Sequence, residues 1–169
     1  AVFMTGIFIS VYGQFMYAWQ SSYFDGLLAN KVDLKDFIKG KFLLFTISST
    51  MITILSSFYG LMSYKLLLLH LAAYLYNIGV GTVVVLYFAN FNYKRLDITS
   101  SASFNWQGVG ATQWLLGLPL LLVPMLIYIP FGLINQPYLG LGVLALLGSV
   151  GLLMRNYWVD VIVKKLEEQ

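Results

Sequence analysis

Two neighbouring stretches of the chain, 42–64 and 66–89, contain no Asp, Glu, Lys or Arg. A helix needs about 20 mostly apolar residues to cross the ~30 Å hydrocarbon core of a bilayer, so each stretch is long enough to span it. Charged residues make up 10% of the 169 residues, against roughly 25% in soluble domains. So little charge cannot cover a water-facing surface. The sequence therefore predicts an integral membrane protein and argues against a soluble enzyme, a nucleic-acid-binding module and a disordered tail.

Five apolar runs are separated by charges or turn-forming residues. Lys65 interrupts an apolar region that is too long for one span, so the second and third runs should form a helical hairpin. We expect a polytopic, all-α protein in which residues 1–169 form a single transmembrane domain. Its predicted spans are 2–19, 42–64, 66–89, 114–134 and 138–154, with cytoplasmic loops 20–41 and 90–113 and a cytoplasmic tail, 155–169.

The orientation of the spans follows from the basic residues, which are retained on the cytoplasmic side of a membrane. Nine of the ten fall in the two long loops and the tail, and Lys65 is the exception. We therefore predict a protein of a bacterial cytoplasmic (inner) membrane, with the C-terminus in the cytoplasm. The four tryptophans fall at predicted boundaries on the same side, as amphipathic indoles prefer: Trp19, Trp106, Trp114 and Trp158.

The first long loop contains a helix-start pattern. Asp33 and Asp36 have the spacing of an N-cap and its partner, and Leu34, Phe37 and Ile38 then share one face. Two interpretations are open at this point. The segment is either a short amphipathic helix that precedes the second span or the exposed first turn of that span.

No catalytic or nucleotide-binding motif occurs in the sequence. Gly40 and Lys41 are followed by Phe42 and lack the upstream glycine of a phosphate-binding loop. His70 is the sole histidine, and the chain has no cysteine. The residues needed for a zinc-protease site or a catalytic triad are therefore missing. We predict that the chain is not an enzyme and holds no metal or cofactor. His70, near the outer end of its span, is expected to cap or snorkel, with a ligand or proton-relay role as the alternative.

The second predicted span carries a polar stripe at three- and four-residue steps, which places its members on one face. Small and hydroxylated residues allow helices to pack closely in lipid, but the same face could line a path for an amphipathic substrate. Asn77, with Gly79 and Gly81, carries the same two alternatives, whereas Gly142, Ala145 and Ser149 favour tight packing. The stripe consists of Thr46, Ser49, Thr50, Thr53, Ser56 and Gly60.

The fourth predicted span contains three prolines, Pro119, Pro124 and Pro130. Each removes a backbone donor and clashes with the preceding turn, so we expect a kinked or broken helix that could act as a hinge. None of the five spans contains an Asp, Glu, Lys or Arg. That absence argues against ion-coupled carriers and voltage sensors, which use such residues.

The order of elements resembles the membrane subunits of the second class of ABC exporters. The segment Trp19-Gln20-Ser21-Ser22-Tyr23-Phe24-Asp25-Gly26-Leu27-Leu28 looks like the sequence with which such permeases leave the membrane into their first cytoplasmic loop. Residues 90–96, followed by Asn105-Trp106-Gln107-Gly108, look like a permease-like family of larger, many-span proteins. This chain would be the C-terminal half of such a protein, matching the exporter subunits from their second span onward.

The resemblance implies a transmembrane domain that pairs with a second one, either in a homodimer or as the other half of the same protein. It also implies a separate cytoplasmic ATPase that binds Mg-ATP, and a hydrophobic or amphipathic cargo. No nucleic acid is expected as a partner. A non-transporting scaffold or anchoring subunit is the alternative, and an intramembrane enzyme ranks third. The residues assigned to ATPase docking are Tyr23, Phe24, Asp25, Asp33, Lys35, Asp36, Phe37, Lys94 and Arg95.

Labelling of single cysteines tests the predicted orientation, and the chain offers no background because it has no cysteine. In intact cells, an impermeant thiol reagent should label Lys65→Cys and Asn135→Cys but neither Lys35→Cys nor Arg95→Cys. The reverse labelling pattern would invert the topology.

Overall fold

The computed structural model describes residues 1–13, 26, 29–91 and 111–168, with the backbone alone at 59 and 111–119. Every regular element in this part of the chain is a helix, and it contains no strand. The prediction of an all-α protein is therefore confirmed. The helices are α1 (Val2–Gly13), α2 (Leu34–Ser56), α3 (Tyr64–Tyr76), α4 (Thr82–Ala89), α5 (Ala111–Leu133), α6 (Pro137–Leu153) and α7 (Arg155–Glu167).

Two helical segments are long and apolar enough to cross a membrane: α2, and the segment Tyr64–Ala89 that includes α3 and α4. A third results if α6 and α7 are counted as one span, although they are bent by 65° at their junction. Helix α1 has 12 residues, which rise about 18 Å and fall short of a ~30 Å hydrocarbon core. Within the described residues, two or three spans are therefore shown, and the predicted five are not.

Helix α2 begins earlier in the sequence than the predicted span at Phe42. The Asp33 carboxylate accepts a hydrogen bond from the backbone N–H of Lys35 at 2.8 Å and caps the helix, as its position in the sequence predicts. From Leu34 the helix continues without a break to Ser56. Residues 34–38 are thus the first turns of α2, and the interpretation as a separate amphipathic helix is wrong.

The hairpin after α2 is made by a short 3-10 turn, Ser57–Leu61. The hydroxyl of Ser63 then accepts from the backbone N–H of Lys65 and caps α3. The span that follows contains a π-helical segment, Asn77–Gly81, between α3 and α4. Its backbone carbonyl at Asn77 accepts from the N–H of Thr82, five residues on, so the chain gains one residue in this turn.

Helix α5 runs through all three prolines as one element. The prolines therefore do not break the helix, and their role as a hinge stays a prediction. The chain turns after α5 at Asn135, which has a φ of 58°. Pro137 then starts α6, at the helix position where a missing N–H removes no hydrogen bond.

The predicted cytoplasmic tail forms helix α7, and this helix packs back onto the bundle. Val159 and Ile162 of α7 are fully buried among residues of α1, α2 and α4. The Nζ atom of Lys165 lies 5.9 Å from the centroid of the Phe91 ring, just after α4. The start of α2, the end of α4 and α7 therefore lie on one side of the bundle, which we call the basic side. The topology prediction requires these regions to share a side.

Two clusters of buried hydrophobic residues form the core. The larger cluster includes Phe42 and Phe45 of α2 and Leu86 of α4, and it lies toward the basic side. The smaller one joins α3 to α6 through Tyr76 and Leu144. The core thus connects the hairpin formed by α2 and α3 to both ends of the chain.

A close helix crossing brings the π-helical segment against α6. A Cβ atom on Gly79 would overlap the carbonyl oxygen of Gly148, and a Cβ atom on Gly148 would overlap the carbonyl of Leu75. At Gly151 it would lie 2.9 Å from the carbonyl carbon of Gly79. Only glycine permits this approach of two backbones. Gly142, where tight packing was expected, is exposed and has no atom within 4 Å of such a Cβ, so that expectation is wrong.

Gly79→Ala and Gly148→Ala are expected to destabilise the fold, because each added Cβ meets backbone that belongs to a packed helix. Overpacking costs ~1–3 kcal/mol, and more where backbone has to move. Gly142→Ala is the matched control on α6, where alanine favours the helix over glycine by about 1 kcal/mol. The midpoint of thermal unfolding in detergent should fall for the first two variants and hold or rise for the third. Equal midpoints in all three would contradict the close crossing.

Candidate functional site

The π-helical segment directs the Asn77 side chain into the contact with α1. The Asn77 Nδ2 atom donates to the carbonyl oxygen of Val2 at 2.8 Å and to the Thr5 hydroxyl at 2.7 Å. Gly6 leaves room for this amide, since a Cβ atom there would lie 2.8 Å from Nδ2. Asn77 is buried, and at a buried position no water replaces such partners. Asn77 therefore joins the segment Tyr64–Ala89 to α1, which is a packing role.

The polar stripe of α2 faces α1 and α3. Ser49 is fully buried, and its hydroxyl donates to the Thr5 carbonyl oxygen at 2.5 Å. Thr50 donates to its own helix at Thr46, so its oxygen accepts from the Tyr74 hydroxyl at 2.7 Å. Thr46 and Thr53 likewise donate to carbonyl oxygens four residues earlier. Of the two interpretations that the sequence left open for this stripe, helix packing matches its position within the chain.

His70 lies buried between α3 and the end of α2. Its Nε2 atom is 2.9 Å from the Ser56 hydroxyl oxygen and 3.3 Å from the Thr53 carbonyl oxygen. The Ser56 hydroxyl hydrogen is already donated to the Ile52 carbonyl at 2.6 Å. Both neighbours of Nε2 are then acceptors, so we infer that Nε2 carries the proton.

Of the two roles expected of His70, snorkelling to the membrane surface is wrong, because a serine hydroxyl and a backbone carbonyl satisfy Nε2 inside the bundle. The capping role matches, because the Thr53 carbonyl oxygen is one of the last four of α2, which capping side chains satisfy. A nitrogen that donates its proton to these groups is not available as a metal ligand. No group of three potential metal-binding side chains occurs in the described ranges. The arrangement is that of a structural histidine.

Lys41 is buried at the basic side, which the sequence did not indicate. Its Nζ atom lies 3.2 Å from the Tyr12 hydroxyl and over the rings of Phe37 and Tyr12, 5.1 and 5.4 Å from their centroids. A buried ammonium group requires such polar and aromatic partners. The aromatic residue four positions before Lys41 was the available signal. This contact joins the start of α2 to the end of α1.

Four of the assigned docking residues lie in the described part of the chain, and each makes contacts within it. The Lys35 ammonium pairs with Asp160 of α7 at 2.5 Å, and Lys39 pairs with Asp36 at 3.1 Å. Asp33 caps α2, and Phe37 packs against the core. The other assigned residues lie outside the described residues: Tyr23, Phe24, Asp25, Lys94 and Arg95.

Asn90 forms a second connection between α4 and α7. Its Nδ2 atom donates to the carbonyl oxygen of Ile162 at 3.3 Å, and its Oδ1 atom is buried with no hydrogen-bond partner in the part of the chain that the structure describes. With the Lys35–Asp160 pair, this bond attaches α7 to the start of α2 and to the end of the segment Tyr64–Ala89, both at the basic side. The sequence did not predict this contact, because α7 was interpreted as a tail.

The fold and these contacts define an all-helical protein with two or three helices able to cross a membrane and polar groups that are paired within the bundle. The chain belongs to the DUF5687 family, a family of unknown function whose sequence profile matches residues 1–169. Neither a curated protein nor a solved structure matches the chain. The family description assigns no activity to it.

Two adjacent serines of α2 provide a matched test of the stripe. Ser49→Leu should destabilise the bundle, because the leucine removes the bond to Thr5 and adds bulk at a fully buried position. The lost bond is worth ~0.6 kcal/mol in a membrane, and overpacking adds about 1–3 kcal/mol. Ser48→Leu, at a half-buried position beside it, should change the unfolding midpoint in detergent little. If the Ser48 variant is the less stable of the two, the stripe does not face α1.

Proposed function

We propose that this chain is a membrane-spanning permease subunit of an ATP-driven exporter. A separate cytoplasmic ATPase, with its Mg-ATP, supplies the energy, and the cargo is hydrophobic or amphipathic. The observation that carries the proposal is the attachment of α7 to the basic ends of α2 and α4, through the Lys35–Asp160 pair and the Asn90–Ile162 bond. A force applied to α7 at the basic side therefore reaches α2 and the segment Tyr64–Ala89 together.

The continuity of α2 supports this coupling. Its 23 residues form one helix from Leu34 to Ser56, about 35 Å long, so displacement of its first turn moves the whole helix. Near its middle, Ser49 and Thr50 bond to α1 and α3. Movement of α2 is thereby passed to the neighbouring helices without an intervening loop. A permease needs such transmission, because closure of the ATPase happens outside the membrane.

The exposed face of α2 supports the pairing with a second transmembrane domain. Leu43, Ile47, Met51 and Leu55 recur at four-residue steps and are each at least half exposed. An apolar stripe of this kind faces either lipid or another helix. In the proposed exporter, the second domain lies against this stripe, either in a homodimer or as the other half of the same protein.

The alternative is a non-transporting scaffold or anchoring subunit, and one observation favours it. The hydroxyls of Ser49, Thr50, Thr53 and Ser56 all bond within the chain, so they do not line a cargo path. In the exporter, the path would then run along the exposed apolar faces between two transmembrane domains. A scaffold needs no such path and no ATPase.

Co-purification of the intact protein from its native membranes separates these proposals. We expect an ATPase with a phosphate-binding loop to co-purify with the parent chain. Phe24→Ala should reduce its recovery strongly, because buried aromatic anchors dominate interfaces. Lys35→Ala should reduce recovery less, because this side chain already pairs with Asp160.

Lys65→Ala, on the side opposite the basic side, is the control and should leave recovery unchanged. Equal recovery with Phe24→Ala and Lys35→Ala would refute docking through the first loop. Recovery of other membrane proteins with no ATPase among them would favour the scaffold.

A further inference from the structure

An apolar groove with a volume of about 230 Å³ runs between α6 on one side and the π-helical segment and α4 on the other, and it ends at the bend into α7. Its lining is almost wholly hydrocarbon and includes Val80 and Val84 on one wall and Leu147 and Val150 on the other, with Met154 and Trp158 at the end. Leu147 and Val150 are 41% and 49% exposed, so the groove opens to the outside of the bundle.

The groove lies within the half of the bundle nearest the basic side. Val80 precedes Asn90, at the end of α4, by ten residues, which corresponds to about 15 Å along a helix. That length is half of the ~30 Å hydrocarbon core of a bilayer, the depth of one leaflet. Because the segment Tyr64–Ala89 is long and apolar enough to span a membrane, the groove opens toward acyl chains rather than water.

A positive charge lies at the basic end of the groove. Arg155 directly follows Met154 in sequence, is exposed, and has no acidic residue beside it in the first turn of α7. Within the described ranges it forms no ion pair, whereas Lys35 and Asp160 neutralise each other. Trp158, at the same end, is the residue type that favours the level of the lipid headgroups.

We propose that the groove binds one acyl chain of an anionic phospholipid from the leaflet on the basic side, with the phosphate next to Arg155. A single hydrocarbon chain suits the groove, which is smaller than the 300–1,000 Å³ typical of small-molecule sites. A helix, ~10–12 Å across with its side chains, could cover the groove but not enter it. A bound acyl chain makes dispersion contacts with the valine, leucine and methionine side chains of the lining, and the phosphate provides the negative charge that pairs with the Arg155 guanidinium. This inference does not rest on export or on an ATPase.

Trp158 provides the measurement, because it lines the groove. The other three tryptophans are replaced by phenylalanine in the full chain, which is then reconstituted in phosphatidylcholine with phosphatidylglycerol. One lipid at a time carries bromine on its acyl chains, which quenches nearby indole fluorescence. Quenching should show a preference of about fivefold for the anionic lipid, the contribution of one basic side chain near an anionic phosphate.

Three further variants separate the groove from the general lipid surface. Val84→Phe and Val150→Phe fill the groove and should abolish the preference, whereas Leu146→Phe, at a 66% exposed position of α6 outside the lining, should retain it. Arg155→Gln should lower the preference to unity while both brominated lipids still quench. Elution as a single species in detergent checks that each variant is folded.

Equal quenching by the two lipids in the parent protein would overturn the proposal, and so would a preference that survives both groove-filling variants. Weak quenching by both lipids would show that protein covers the groove, and would overturn it as well. Each readout uses the purified chain alone, so failure here is distinct from failure to recover an ATPase.

Discussion

The close approach of the π-helical segment to α6 is the constraint on which the other contacts depend. Gly79, Gly148 and Gly151 bring two backbones together where no side chain fits. The extra residue of the π turn, at Asn77–Gly81, shifts the helix that follows by about 100° around its axis. The Asn77 amide is thereby directed into α1, while the valines of α4 line the groove beside α6.

Buried polar groups hold the first three helices together by bonding to one another. The Thr5 hydroxyl accepts from Asn77 of the π segment, and the Thr5 carbonyl accepts from Ser49 of α2. The Ser56 hydroxyl at the end of α2 bonds to His70 of α3 in the same way. Such bonds are modest individually, at ~0.6 kcal/mol, but inside the bundle they decide which helix faces can meet, because an unpaired buried polar group has no water to bond. The polar stripe of α2 therefore specifies how α1, α2 and α3 pack, because its hydroxyls are used in bonds to those helices.

The basic side is held together by different interactions from the interior of the bundle. Lys35 and Asp160 are both substantially exposed, at 42% and 58%, so salt screens their attraction and the pair sets the position of α7 more than its stability. The buried residues Val159 and Ile162 hold α7 in place. This combination of a hydrophobic anchor and a screened charge pair leaves the surface of α7 accessible while tying it to α2 and α4.

The sequence by itself determined the helical class, the presence of helices apolar enough to cross a membrane, the cap at Asp33, and the hairpin around Lys65, because charge distribution and local capping chemistry act over a few residues. It indicated that the α2 stripe and Asn77 either pack or line a path, and only the tertiary structure assigned them to packing. It misjudged Gly142 and the snorkelling of His70, and it did not indicate that Asn90 meets α7. The burial of Lys41 was not predicted, although the aromatic residue four positions earlier was an available signal. The contact that each of these residues makes depends on which residue lies opposite it in a neighbouring helix. A π turn or a close crossing at glycines changes that opposite residue but leaves the apolar pattern of the sequence, from which spans are inferred, unchanged.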